Sequence, residues 1–437
     1  MSVNRKILRL ALPSIVSNIT VPLLGLADVA IVGHIGDEQY ISAIAIGSMI
    51  FNIAYWLFGF LRMGTSGMTS QALGRKDFSE ILFVLNRALQ VAFLVALCIL
   101  VFQYPIRLLA FWLMGTPTEI IALVTTYFSI VVWGAPAMLG LYALTGWFVG
   151  MQNTKAPMIV AIIQNVVNIA MSAFLVFVQG MRIEGVALGT LFAQWTGFVI
   201  ALIIFQRYYR RLSVYLSGNS VMFFVKASFK EWIKFFRVNR DIFLRTLCLV
   251  AVNLFFTSFG ARQGTMILAV NTLLMTLFTL FSYVMDGFAY AGEALAGRYY
   301  GAKNWGMFHQ TVHGLFQWGL FMTILFCSTY FIGGQHFLSL LTDKVSVTQA
   351  ASPYFIWAVM IPLTGMAAFI YDGVFIGITE TRGMLVSSFV ASVCFFVLFL
   401  LLHPVLHNHA LWLALNCYLA ARGVIQYLIF HRRFCKE

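Results

Sequence analysis

Asp28 is the residue on which any chemistry in this chain would turn. It stands in GLADVAIVGHIG (25–36), at the end of a long apolar run. An acid at a membrane-helix centre costs about 2.5–3.5 kcal/mol, and a purely structural position could avoid that cost with Asn or Ala. Burial raises a carboxyl pKa and a nearby cation lowers it, so such a group can alternate between protonated and ionised as its access to water changes. That is the requirement for a proton or Na⁺ coupling site. The competing reading is a helix-end acid reaching the outer interface beside Asp37 and Glu38. Pro13 and Pro22 lie in the same run, and each removes one backbone hydrogen bond, so this helix is expected to be bent or bendable near Asp28.

Other polar residues recur at helical spacing. Gln164, Asn168 and Ser172 follow at i, i+4 and i+8, and Thr190 with Gln194 makes a shorter stripe. Such stripes serve interhelical hydrogen bonds as often as ligands. In SYVMDGFAYAGEALAGRYYGAKN (282–304), Asp286 and Glu293 are two helical turns apart and share a face with Tyr283 and Tyr290. Asp372 follows in IYDGVFIG, and Asp241 precedes Arg245, an available counter-ion. This second set reads either as a functional charge network or as a structural one.

Enzymatic signatures are missing. His403, His407 and His409 in HPVLHNH are interrupted by Pro404 and lack HExxH, so they are expected in a loop. The six cysteines are scattered without CxxC spacing and read as packing residues. No GxxxxGK[ST] occurs, which removes ATP as the energy source. No catalytic residue, metal ligand or cofactor is expected, and transport driven by an ion gradient or by substrate alone is the remaining class.

The elements that must hold these residues follow from composition. Of 437 residues, 61% are hydrophobic and 10% charged, and the mean hydropathy is +0.88. That places the chain in a bilayer. A spanning helix needs roughly 20 apolar residues, and such runs occur near 8–33, 41–70, 88–113, 122–150, 157–180, 184–207, 234–260, 265–297, 306–332, 350–377, 384–405 and 410–430. Runs such as CFFVLFLLL are apolar on every face, which excludes an alternating β-barrel pattern. An all-α polytopic membrane protein is predicted, its basic opening retained as the first helix.

The formal charge of +13 is explained by its placement. Arg5, Lys6 and Arg9, Arg75, Lys76 and Arg87, Lys155, the cluster from Arg207 to Arg245, Arg298 and Lys303, Arg382, and Arg432, Arg433 and Lys436 fall at one side. Arg107, Arg182, Arg262 and Lys344 fall at the other, and Arg62 and Arg422 lie within spans. The positive-inside rule then puts both termini in the cytoplasm, in a cell inner (plasma) membrane. A basic charge set by topology does not call for nucleic acid as a partner.

The chain is also two copies of one pattern. A shift of 227 positions aligns WFVGMQNTK (147–155) with VFIGITETR (374–382), and pairs Tyr127-Phe128 with Tyr354-Phe355, Gly33 with Gly260, Gly74 with Gly301, and Lys76 with Lys303. Gly146 and Gly150 recur as Gly373 and Gly377, small-residue faces for close helix contact. The organisation expected is an N-terminal six-helix lobe (1–207), a cytoplasmic amphipathic linker (208–233) and a C-terminal six-helix lobe (234–437). An even number of spans per copy makes the copies parallel. The linker mixes basic and aromatic residues, which suits a helix on an anionic leaflet or a solvated loop.

The stretches ALP (11–13), DVAIVGHIG (28–36), TSQALGRKD (69–77), GMQNTKAP (150–157), NRDIFLRTL (239–247), MDGFAYAGEALAGRYYGAK (285–303) and DGVFIG (372–377) resemble the multidrug and toxic compound extrusion (MATE) transporters, most of all their DinF (DNA-damage-inducible) branch. The resemblance runs over essentially the whole chain. It implies twelve helices in two pseudo-symmetric six-helix bundles arranged as a V. It also implies export of organic, often cationic or amphipathic, compounds in exchange for H⁺ or Na⁺.

Carried over, Asp28 matches the family's first-helix acid, and Pro13 the proline whose bend is coupled to that acid's protonation. Tyr127, Asn168 and Thr190 match polar members of the N-lobe cavity. Ser172 stands where relatives often carry Asp, and Thr145 where some carry Asn, which leaves one carboxylate and points to H⁺ rather than Na⁺. A lipid-linked precursor flippase of the same superfamily is the alternative. The partners expected are small organic substrates and the bilayer, for a monomeric protein.

Overall fold

The computed structural model describes residues 2–33, 38–210, 212, 229–342 and 344–434. Among the described residues every regular element is a helix: α1 (Val3–Gly33), α2 (Glu38–Leu57), α3 (Phe60–Arg75), α4 (Phe78–Val101), α5 (Gln103–Met114), α6 (Ile121–Val131), α7 (Ala135–Gly150), α8 (Lys155–Ala173), α9 (Ile183–Tyr209), α10 (Phe229–Arg262), α11 (Thr265–Gly301), α12 (Trp305–Leu341), α13 (Val345–Ala351), α14 (Phe355–Gly377), α15 (Thr381–Leu406) and α16 (Asn408–Phe434). Among the described residues eleven segments are long and apolar enough to cross a membrane. At 31 residues, α1 has the length that the remaining expected span would need.

Several spans that read as continuous runs are broken, for local reasons. The run at 88–113 divides at Phe102 into α4 and α5, and its first helix begins earlier, at Phe78. Pro105 and Pro136 lie in the first turns of α5 and α7, where a missing N–H costs nothing but the preceding helix cannot continue. The histidine segment differs from its expected loop. α15 runs through Pro404 to Leu406, only His407 takes a left-handed conformation (φ 47°), and His409 already belongs to α16.

The repeat is written into the helix ends. Asp77 caps α4 by accepting a bond from the Glu80 amide at 3.0 Å, and Asn304, its copy 227 positions on, caps α12 through the Met307 amide at 3.1 Å. Left-handed backbone recurs in the same register at Lys76 and Lys303 (φ 60° and 54°), Gln152 and Thr379 (62° and 57°), and Gly180 and His407 (68° and 47°). Close helix approach recurs too. A Cβ on Gly146 would collide with the Arg62 backbone in α3, and one on Gly373 with the Ala289 backbone in α11. Small residues here let van der Waals packing hold apolar helices that gain nothing from leaving lipid.

Contacts divide the chain into two compact units, Val16–Asn239 (the N-terminal lobe) and Met1–Ile15 with Arg240–Glu437 (the C-terminal lobe). These divisions fall inside α1 and inside α10. In the C-terminal lobe, Lys6 Nζ donates to Tyr299 Oη at 3.0 Å, and Gly287 leaves room for Ile15 and the Ala11 carbonyl. In the N-terminal lobe, Phe235 joins the core and Asn239 packs on Gly64. Of the expected linker, residues 211 and 213–228 lie outside the described residues.

Candidate functional site

In the N-terminal lobe the polar stripe of α8 meets α9. Asn168 is buried and its Nδ2 donates to Thr190 Oγ1 at 3.1 Å, while Thr190 donates to the Val186 carbonyl at 3.1 Å. Asn168 Oδ1 and Ser172 Oγ are buried and find no hydrogen-bond partner among the described residues. Buried polar groups left open in this way cost free energy unless water or a ligand completes them. The close approach that buries them comes from Gly189, where a Cβ would strike Ser172 Oγ.

One turn earlier on α8, Asn165 Nδ2 donates to the Thr20 carbonyl of α1 at 3.0 Å. As the first and fifth spans, α1 and α8 run in the same direction. At 1.5 Å rise per residue, positions 28 and 172 both lie roughly 10–12 Å beyond that contact. The side chains of Asp28 and Pro22 lie outside the described residues. α1 is a continuous helix through both prolines, and Pro13 is buried.

Tyr127 lies on α6. Its hydroxyl lies 3.2 Å from Ser48 Oγ of α2, its ring covers Gly47, and Tyr55 lies within electrostatic range of both Tyr127 and Tyr142. Thr145 is half-buried on α7, one turn from Tyr142.

The C-terminal lobe gathers its charges around Asp372. Asp372 Oδ2 accepts from Nη2 of both Arg245 and Arg422, and Oδ1 accepts from Gln426 Nε2 at 2.6 Å. All four residues are buried. Arg422 also stands over the Tyr418 ring at 5.5 Å, and Asp286 lies within electrostatic range of it. Asp241 is held separately, by Arg240 at 2.8 Å and by the Thr381 hydroxyl at 3.3 Å. Glu293 is buried on the α11 face that packs against Gly377, and neither it nor Asp286 is free of partners. Two guanidiniums and an amide on one carboxylate make a locked cluster, since removing Asp372 would strand two buried guanidiniums.

Arg422 and Gln426 were missed as members of this cluster. Their signal was present: an arginine within an apolar span needs a partner, and a glutamine one turn on shares its face.

The MatE family model matches residues 13–174 and 242–401, one match in each repeat. The chain belongs to the MatE family. It is 36% identical over 433 residues to the DNA damage-inducible protein F of Escherichia coli (strain K12), covering 99% of this chain and 93% of that protein. It is 22% identical over 265 residues to the multidrug export protein MepA of Staphylococcus aureus (strain NCTC 8325 / PS 47), covering 61% of this chain and 57% of that one. Among solved structures, a MATE crystal structure in the bent conformation matches with a TM-score of 0.88 at 17% identity, covering 100% of this chain and 96% of its own. That likeness concerns the fold. As a multi-pass MatE protein, the chain is an efflux transporter, acting on small molecules across a lipid bilayer.

For a MatE protein the position of its arginines bears on cargo. A flippase for lipid-linked precursors wants a basic cavity with cations to spare. Here Arg87 is paired with Glu80 at 2.9 Å, Arg245 and Arg422 are spent on Asp372, and Arg62 has partners of its own. The flippase alternative is not favoured.

Proposed function

We propose that the protein exports organic, often cationic or amphipathic, compounds from the cytoplasm by exchange for H⁺, with Asp28 as the coupling group and the Asn168–Ser172–Thr190 cluster beside it. In this reading the termini face the cytoplasm of an inner membrane, as the placement of basic residues favours. Protonation of Asp28 and binding of substrate exclude one another, so each weakens the other by the same factor. A proton taken from outside then releases the substrate there.

The observation that carries this reading comes from the repeat. In the C-terminal lobe Phe255 packs edge-on against Phe395 and Phe399, with ring centroids 5.9 and 5.1 Å apart. Shifted back by 227, these are positions 28, 168 and 172. The same scaffold therefore supports the lone acid of α1 standing beside the two α8 residues that each leave a buried oxygen without a partner among the described residues. The acids of the C-terminal lobe are engaged elsewhere, which supports leaving coupling to Asp28.

The test is efflux of a cationic dye from proteoliposomes of purified protein under an imposed pH gradient, an imposed Na⁺ gradient, or neither. The pH gradient is expected to drive efflux and Asp28→Asn to abolish it. Full pH-driven efflux by Asp28→Asn, or efflux driven by Na⁺ alone, would overturn the proposal.

A further inference from the structure

The C-terminal lobe carries an open, apolar groove of about 390 Å³ between α12 and α16. Ala367 and Tyr371 of α14 form its floor, Phe316 of α12 one wall, and Val424 and Tyr427 of α16 the other. The walls meet at one end, where Phe308 packs on Phe430 and Phe434 with centroids 6.0 and 5.6 Å apart. The surface around the opening is the kind that faces hydrocarbon, with Leu363 and Val424 each 56% exposed and Ile324 58%.

Basic residues gather at the closed end. One turn beyond Tyr427, His431 stacks on its ring at 5.7 Å, and Arg432 follows. On α12 the face of Phe316 continues through His313 and His309, both exposed, with His313 Nε2 3.0 Å from Gln317 Nε2. Neither α12 nor α16 contains an Asp or Glu. Of the acids nearby, Asp372 is held by Arg245 and Arg422, and Glu380 is taken by Arg433. Arg432 and three histidines thus flank the end of a slot neither of whose walls carries an acid.

We infer that this groove binds an anionic phospholipid, one acyl chain lying in the slot and the phosphate at the His309, His313, His431 and Arg432 end. Basic rims between membrane helices select anionic headgroups, whereas an uncharged lipid makes no use of them. The inference needs only that the helices span a bilayer, and is independent of the coupling ion and the exported compound.

The full-length protein in detergent is offered dioleoyl phosphatidylglycerol or dioleoyl phosphatidylcholine, and retained lipid is read by native mass spectrometry. Phosphatidylglycerol is expected to be retained about fivefold better, the effect of roughly one basic side chain near a phosphate. The double substitution His431→Ala, Arg432→Ala removes that preference, and Ala420→Trp, which fills the slot, lowers retention of both lipids. Equal retention of the two lipids by the unaltered protein, unchanged retention by Ala420→Trp, or a second copy of the chain bound in place of lipid would each overturn the inference. Should Ala420→Trp not fold, Val424→Trp is tested instead with acyl-brominated phosphatidylglycerol. Quenching of the new tryptophan supports the site, and its absence overturns it.

Discussion

Shifted by 227 positions, Asp28, Asn168, Ser172 and Thr190 of the N-terminal lobe fall on Phe255, Phe395, Phe399 and Cys417 of the C-terminal lobe. The reverse shift takes Asp372, Arg245, Arg422 and Gln426 back to Thr145, Asn18, Trp195 and Val199. Each lobe therefore places its polar groups where the other is neutral or aromatic. In the N-terminal lobe Asn168 Oδ1 and Ser172 Oγ are among the buried polar atoms without a partner among the described residues, an arrangement that a proton, water or substrate can complete. In the C-terminal lobe the carboxylate accepts from three donors at once, which favours a single arrangement. One backbone pattern thus supports a lobe suited to respond and a lobe suited to stay fixed.

The comparison breaks most readily at Asp372. Asp372→Ala leaves two buried guanidiniums facing each other and is expected to destabilise the protein by about 3–5 kcal/mol. Thermal unfolding in detergent reads this as a large fall in midpoint, and an unchanged midpoint would show that the cluster is not structural. Next come the shared close contacts. Gly146→Ala and Gly373→Ala each push a methyl group into the backbone of a neighbouring helix, and each should cost about 1–3 kcal/mol. Because the geometry repeats, the two losses should be alike, and a marked difference would mean that one lobe relaxes where the other cannot.

Asn168→Ala removes one bond, to Thr190, and should cost only about 1 kcal/mol in stability while dye efflux falls sharply. The smallest effect on stability is expected for Asp28→Asn, whose melting midpoint should match the parent even though pH-driven efflux is lost. If either N-terminal variant unfolded as readily as Asp372→Ala, the contrast between a responsive lobe and a fixed one would fail.

Much of this was legible in the residues. The spans follow from hydropathy, because a helix that satisfies its own backbone is the stable way for one chain segment to cross hydrocarbon. The duplication follows from one unbroken register, and Asp28 stands out because an acid in such a run is expensive. Arg422 and Gln426 were harder to place, since a buried charge declares that it has a partner without saying which. Asp372 lies 50 residues before Arg422 and 127 after Arg245, and no local spacing links them.

The amino-acid sequence alone determined how many times the chain crosses the membrane, that it does so in two copies, and which residues are costly enough to matter. Those are properties of composition and period, which each segment carries by itself. Only the tertiary structure decided that Tyr127 pairs with Ser48, that the two contact units divide partway along α1 and α10, and that Asp372 is tied to Arg245 and Arg422. Each of these depends on which helix faces lie together. In an apolar chain many faces are equally able to pack, and the choice is made by a few small residues and polar pairs acting across long stretches of sequence.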